Sequence, residues 1–169
     1  MDIREAIYKR RSVRKFQEKQ VDDNIIKSLL EDAMAAPSAC NKQPWEFYVI
    51  RNKEKQDLIK SKIMFSNFNS PIMIVVCGNN ELSLTKDNND FWIQDCSAAI
   101  ENILLSAVSF GLGTCWCGLY PVEKRCERVR EILDLPNNII PLGTIHIGYP
   151  EKELEGRTQY KEEKVHYIV

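Results

Sequence analysis

Between Phe91 and Phe110 the chain carries Ala98, Ala99, Ile100, Ile103, Leu104, Leu105, Ala107 and Val108, which are apolar on nearly every side of a helix. A helix that is apolar all round has to be surrounded by other elements. Whatever the fold is, this segment belongs at its centre. Gly111 follows as a C′ residue able to end it in the left-handed conformation. The segment is still not a membrane span, because no apolar run in the chain approaches the ~18 residues such a helix needs.

Shorter elements supply the surroundings. Asp2 is placed to cap a first helix with Ile3, Ala6 and Ile7 at helical spacing. A second helix follows Asp22, with Ile25, Ile26, Leu29, Leu30, Ala33 and Met34 facing inward, and Pro37 stops it. Asn52 caps a charged helix through Lys62, with Leu58, Ile59 and Ile63 inward; another amphipathic helix around Val129, Ile132 and Leu133 ends before Pro136. Strands are expected at Trp45 to Ile50, Pro71 to Cys77, Thr114 to Leu119 and Ile140 to Ile147. The continuous apolar run of Pro71 to Cys77 marks a strand buried on both faces. Gly78 to Asn89 is polar and expected to be an exposed, mobile loop. The tail Lys164 to Val169 reads as one more strand, far enough from the body to pair outside its own chain. No repeat, low-complexity tract or linker divides residues 1–169, so a single domain is expected.

Charge and cysteine usage narrow the function classes. The formal net charge is -1, without the basic excess of a nucleic-acid binder. Lys9, Arg10, Arg11, Arg14 and Lys15 form one local basic cluster. The opening Met1-Asp2-Ile3-Arg4-Glu5 lacks the apolar stretch of a secretory signal. Cys40, Cys77, Cys96, Cys115, Cys117 and Cys126 sit in apolar or helical contexts, so reduced thiols and a cytoplasmic location are expected. Cys115 and Cys117 would share a strand face, but with only His146 and His166 to join them no metal site is expected. No G-x-G-x-x-G follows a strand, and neither histidine completes a nucleophilic triad.

Three stretches carry candidate chemistry. Arg10-Arg11-Ser12-Val13-Arg14 offers guanidinium forks and a hydroxyl suited to phosphate, and would serve equally as a solvated basic helix end. Ala36-Pro37-Ser38-Ala39-Cys40-Asn41-Lys42-Gln43-Pro44-Trp45 is a rigid polar turn, and by itself an ordinary connection. In Gly111-Leu112-Gly113-Thr114-Cys115-Trp116-Cys117-Gly118, Gly118 suits either close approach to a flat ligand or a bulge.

In this order and spacing, with Gln43-Pro44-Trp45, Gly148-Tyr149-Pro150 and Arg157, these stretches resemble the FMN-dependent nitroreductase family over almost the whole chain. The resemblance implies an α+β fold with a mainly antiparallel sheet flanked by helices. It also implies an intertwined homodimer with C-terminal strand exchange and FMN at the dimer interface. Arg10, Ser12 and Arg157 match positions that hold the FMN phosphate and ribityl chain, with Arg11 beside them. Arg14 matches a basic position near the flavin pyrimidine ring, where it would stabilise reduced flavin electrostatically. Pro37, Ser38, Ala39 and Asn41 match the loop laid on the flavin by the second subunit. Cys117 and Gly118, preceded by Trp116, match the place where backbone amides approach flavin N5. The implied activity passes reducing equivalents from NAD(P)H to a nitroaromatic, quinone or similar acceptor by a ping-pong mechanism, the cofactor carrying the hard chemistry. Ene reduction, reductive dehalogenation or flavin binding without turnover on the same fold stay open. Relatives with substrate-covering helices carry them where this chain has only the short polar stretch Asn79 to Asp90.

Overall fold

The computed structural model describes residues 1–63, 65–84 and 90–169. Five helices, α1 (Ile3–Lys9), α2 (Asp23–Met34), α3 (Lys53–Lys62), α4 (Phe91–Ser109) and α5 (Glu123–Leu133), surround four strands, β1 (Trp45–Ile50), β2 (Ile72–Asn79), β3 (Gly113–Gly118) and β4 (Ile139–Gly148). The strands form one antiparallel sheet in the order β1-β2-β4-β3. This is the expected α+β arrangement.

Local chemistry starts the helices where the sequence places them. The carboxylates of Asp2 and Asp22 accept from the Arg4 and Asn24 backbone N–H, and Asn52 accepts from that of Lys55. Each satisfies a donor that the first helical turn leaves free.

β2 is the axis of the body. Ile72, Ile74 and Val76 pack against α2 and α4, while Met73, Val75 and Cys77 pack against α3 and α5. Period-two alternation divides one apolar run between two cores. α4 lies on the first of them, with Cys96, Ala99, Ile100, Ile103 and Ala107 fully buried. Its burial is not complete all round, since Ile93, Ala98, Leu105 and Val108 are only half-buried in the single chain.

Several expectations are corrected. Met34 and Leu58 face solvent, because each lies on the outer side of its helix beside the true inward residues, Ala33 and Ile59. Ile3 and Ile7 are also exposed, and only Ala6 of α1 is buried. Gly78 and Asn79 belong to β2, and Ser83 is buried, so that connection is not uniformly open. Residues 85–89 of the expected mobile loop lie outside the described residues. The tail forms no ladder with its own sheet: beyond a 3-10 turn at Glu162–Lys164, Val165, Tyr167, Ile168 and Val169 are exposed. A strand exists only when another backbone accepts its hydrogen bonds, and none of the four strands pairs with the tail in the single chain.

Candidate functional site

β3 is an edge strand, and its free side is where the candidate residues gather. Val13 N–H donates to the Thr114 carbonyl at 2.8 Å, and Ser12 bridges to Thr114 in parallel. Gly113 permits this approach, since a Cβ there would come within 2.5 Å of the Val13 side chain. In an antiparallel edge strand, alternate residues turn their backbone groups away from the neighbour. With Thr114 turned outward, Trp116 and Gly118 are outward too, while Leu119 N–H returns to Leu142 O on β4. The Gly118 amide is therefore aimed away from β4. Arg125 donates to the Gly118 carbonyl at 3.4 Å, and a Cβ on Gly118 would meet nothing closer than 4.0 Å.

Over this edge lies an open cavity of about 590 Å³, walled by Arg14, Phe65, Asn67, Phe68, Trp116, Cys117, Gly118 and Arg125. Trp116 is seated across Gly143, where any Cβ would lie 2.4 Å from the indole nitrogen. Arg14 reaches back to the Ser12 carbonyl at 3.4 Å.

The extended segment Arg10 to Phe16 sorts its side chains by twos. Arg14 enters this cavity, whereas Lys9, Arg11 and Val13 line a second one with Gly113 and Lys152. Arg11 donates to the Glu155 carbonyl there. Arg10 pairs with Glu101 of α4 at 3.6 Å. Arg157 is tied to the end of α1 through its backbone, with its N–H on the Tyr8 carbonyl at 2.9 Å.

Pro37, Ser38, Ala39 and Asn41 line neither cavity. Their loop is held in a fixed shape: Ala39 N–H donates to buried Asp95 of α4 at 2.9 Å, and Gln43 N–H to the Ser38 hydroxyl. Cys40, Asn41 and Gln43 all have positive φ. A single chain thus brings together Arg14, Trp116, Cys117 and Gly118, keeps Ser12 on the same strand edge through its bridge to Thr114, and leaves Arg10, paired with Glu101, and the other expected residues elsewhere. Phe65, Asn67, Phe68 and Arg125 were not legible from the sequence, since no local pattern marks a residue that arrives from a distant loop or helix.

Thiol chemistry divides by place. Burial pushes the Cys77, Cys96 and Cys126 thiols up, to about 12 for Cys96 and about 11 for Cys126. At the cavity, Cys115 and Cys117 share a hydrogen bond that holds Cys117 low and Cys115 high. All six cysteines are unbridged. Among the described residues no helix is long and apolar enough to cross a membrane, and no group of three or more His, Cys, Asp or Glu is set to hold a metal.

Comparison with known proteins identifies the family and the fold. The sequence profile of the nitroreductase family matches residues 7–67 and 59–149. A candidate NADH dehydrogenase/NAD(P)H nitroreductase of Methanothermobacter thermautotrophicus is 39% identical over 98% of this chain and 86% of its own. A crystal structure of a protein given the same name, from Parabacteroides distasonis, superposes with a TM-score of 0.92 at 35% identity, covering 98% of this chain and 96% of that one. An FMN-dependent nitroreductase of Clostridium difficile superposes with a TM-score of 0.86 at 30% identity, covering 96% of each chain.

Proposed function

The chain belongs to the nitroreductase family, and from that premise we propose that it is an FMN-dependent oxidoreductase. Its donor is NAD(P)H and its acceptor a nitroaromatic, a quinone or a similar electrophile. The observation that carries this reading is the free edge of β3, where the outward Gly118 amide and the Arg14 cation border one open cavity. A flat, electron-rich ring system with hydrogen-bond acceptors along its rim suits such a place, and a side chain at Gly118 would occupy it.

FMN, when bound, would supply a two-electron carrier that accepts hydride from NAD(P)H and yields electrons to the acceptor. The protein's part is binding and charge. Arg14 would hold negative charge at the ring, in a setting partly shielded from water, where an ion is worth more than in bulk solvent. Arg10, Ser12 and Arg157 would hold the phosphate and ribityl chain, Arg10 exchanging Glu101 for a stronger anion. Arg11 would support them from the neighbouring cavity.

Each site needs two chains in this reading. Pro37, Ser38, Ala39 and Asn41 would cover the partner's ring, which accounts for their distance from their own cavity lining. Exposed Ile3 and Ile7 and the half-buried side of α4 would be covered by the second copy. The exposed tail Val165 to Val169 would add a strand to the partner's sheet. Six unbridged thiols suit a reducing, cytoplasmic setting. Donor and acceptor would use the same cavity in turn, giving ping-pong kinetics.

The test is spectroscopic. The purified protein should be yellow, release FMN and not FAD on denaturation, and bleach with NAD(P)H. A colourless protein that FMN cannot reconstitute overturns the proposal, and intersecting double-reciprocal plots would overturn its ping-pong part.

A further inference from the structure

The cavity over the edge of β3 holds two cations. Arg14 and Arg125 both line it, and no carboxylate is among its lining residues. Among the described residues neither arginine is paired with an acidic side chain elsewhere. Arg125 is half-buried. Its guanidinium donates to the Gly118 carbonyl at 3.4 Å, so its charge lies at the same glycine that presents the outward amide.

The segment that brings Phe65, Asn67 and Phe68 to the cavity is held by a buried histidine. His146 Nε2 lies 2.6 Å from Ser66 Oγ and Nδ1 lies 2.7 Å from Ser70 Oγ, all three residues being buried. Phe68 meets the imidazole edge-on at 5.1 Å between ring centroids. With that wall anchored, a planar ring entering the cavity meets the guanidinium groups at defined positions.

A tie to a backbone carbonyl is an ordinary use of an arginine, but it requires only an N–H and no charge. Arg125 is the third residue of α5, at the end of a helix where the dipole opposes a cation. Its half-buried position also strips part of its water. A neutral donor such as glutamine would avoid both costs. In the proposed function Arg14 answers the negative charge of reduced flavin, and Arg125 is left with its charge unused.

We infer that Arg125 makes this cavity selective for acceptors that carry an anionic group directly on the reducible aromatic ring, as nitrobenzoates do. The inference rests on the proposed function for what occupies the cavity. An arginine and a carboxylate form a charge-assisted, geometrically specific pair, and a cleft lined by charge of one sign concentrates its field on an entering anion. The place of the charge favours the acceptor over the donor. Arg125 lies against the strand edge itself, whereas the phosphates of NAD(P)H are separated from the nicotinamide ring by a ribose. The reduction is that of the proposed function: NAD(P)H supplies a hydride and solvent a proton, one nitro oxygen leaves as water, and a nitroso compound remains.

Para-nitrobenzoate and para-nitrobenzamide share ring and shape and differ in charge. Their kcat/KM values with the flavin-loaded protein and NAD(P)H, taken as the ratio of benzoate to benzamide, test the inference in two variants. Arg125→Gln keeps a donor for the Gly118 carbonyl and removes the charge, and Arg125→Lys keeps the charge. The ratio should fall about tenfold or more in Arg125→Gln and stay near that of the parent in Arg125→Lys. A ratio unmoved by Arg125→Gln, or lost equally in both variants, overturns the inference. Slower flavin bleaching by NAD(P)H in Arg125→Gln with the ratio unmoved assigns the cation to the donor's phosphates and overturns it as well. A parent that reduces neither compound counts against the proposed function. The ratio of the two dissociation constants, measured by calorimetry in the same three proteins, then decides the inference by the same shifts, and a benzoate that does not bind the parent overturns it.

Discussion

Every residue of β2 from Ile72 to Gly78 is buried, whereas β3 alternates beyond Cys115, leaving Trp116 and Gly118 open. Both are strands of one sheet, yet they hold different things. β2 is covered by helices on both faces, so each of its side chains adds apolar area to a core and its backbone is paired on both sides. β3 has β4 on one side only, and the N-terminal segment closes just the start of its other side. Unpaired edges invite association, and here the open length is short, bordered by cations and rich in small residues. The difference teaches that stability and ligand recognition are assigned to the interior and the edge of the same sheet, so perturbations of the two should separate.

The largest effect is expected at the centre. Ile103→Ala, at a fully buried position of α4, should cost about 2–5 kcal/mol in denaturant unfolding, with flavin content per folded molecule unchanged. A variant that lost flavin while keeping its stability would break the separation. At the edge, Arg14→Ala should slow flavin reduction by NAD(P)H about tenfold or more, from loss of a charge-assisted contact of roughly 1.5–3 kcal/mol, with no change in melting temperature. Arg157→Ala should mainly weaken flavin retention. Equal retention and equal reduction rates in both variants and the parent would reject these roles.

Deleting residues beyond Lys164 should weaken dimerisation and flavin binding together, as followed by light scattering and absorbance. A truncated protein that stays dimeric and fully yellow shows the tail to be dispensable. The smallest effect concerns the thiols. Cys77, Cys96 and Cys126 are raised in the folded state by burial, so the fold binds protons that the unfolded chain releases. Their contribution is intact below about pH 8.5 and declines as pH rises toward the folded-state values. Cys117 is lowered and acts with the opposite sign, its contribution present above the unfolded value and lost as pH falls through the folded one. Urea unfolding between about pH 8 and pH 10 should show the core thiols prevailing as a net loss of stability, and a flat profile would contradict their burial.

What could be read from the sequence was what local periodicity and capping chemistry encode. The central place of α4, the buried run of β2, the capping roles of Asp2, Asp22 and Asn52, and strand positions within two residues all follow from which face a residue occupies. The shared face of Cys115 and Cys117 was legible for the same reason. Periodicity does not say what lies opposite a face. Only the tertiary structure set β3 at the edge and turned the Gly118 amide outward, since that depends on register with β4 and on Val13 closing on Thr114. It alone sent Arg11 and Arg14 into different cavities, exposed Met34 and Leu58, and brought Ser66 and Ser70 onto His146 across a long sequence separation. Those outcomes rest on contacts between residues far apart in the chain, and such contacts leave no signature in any local window of it.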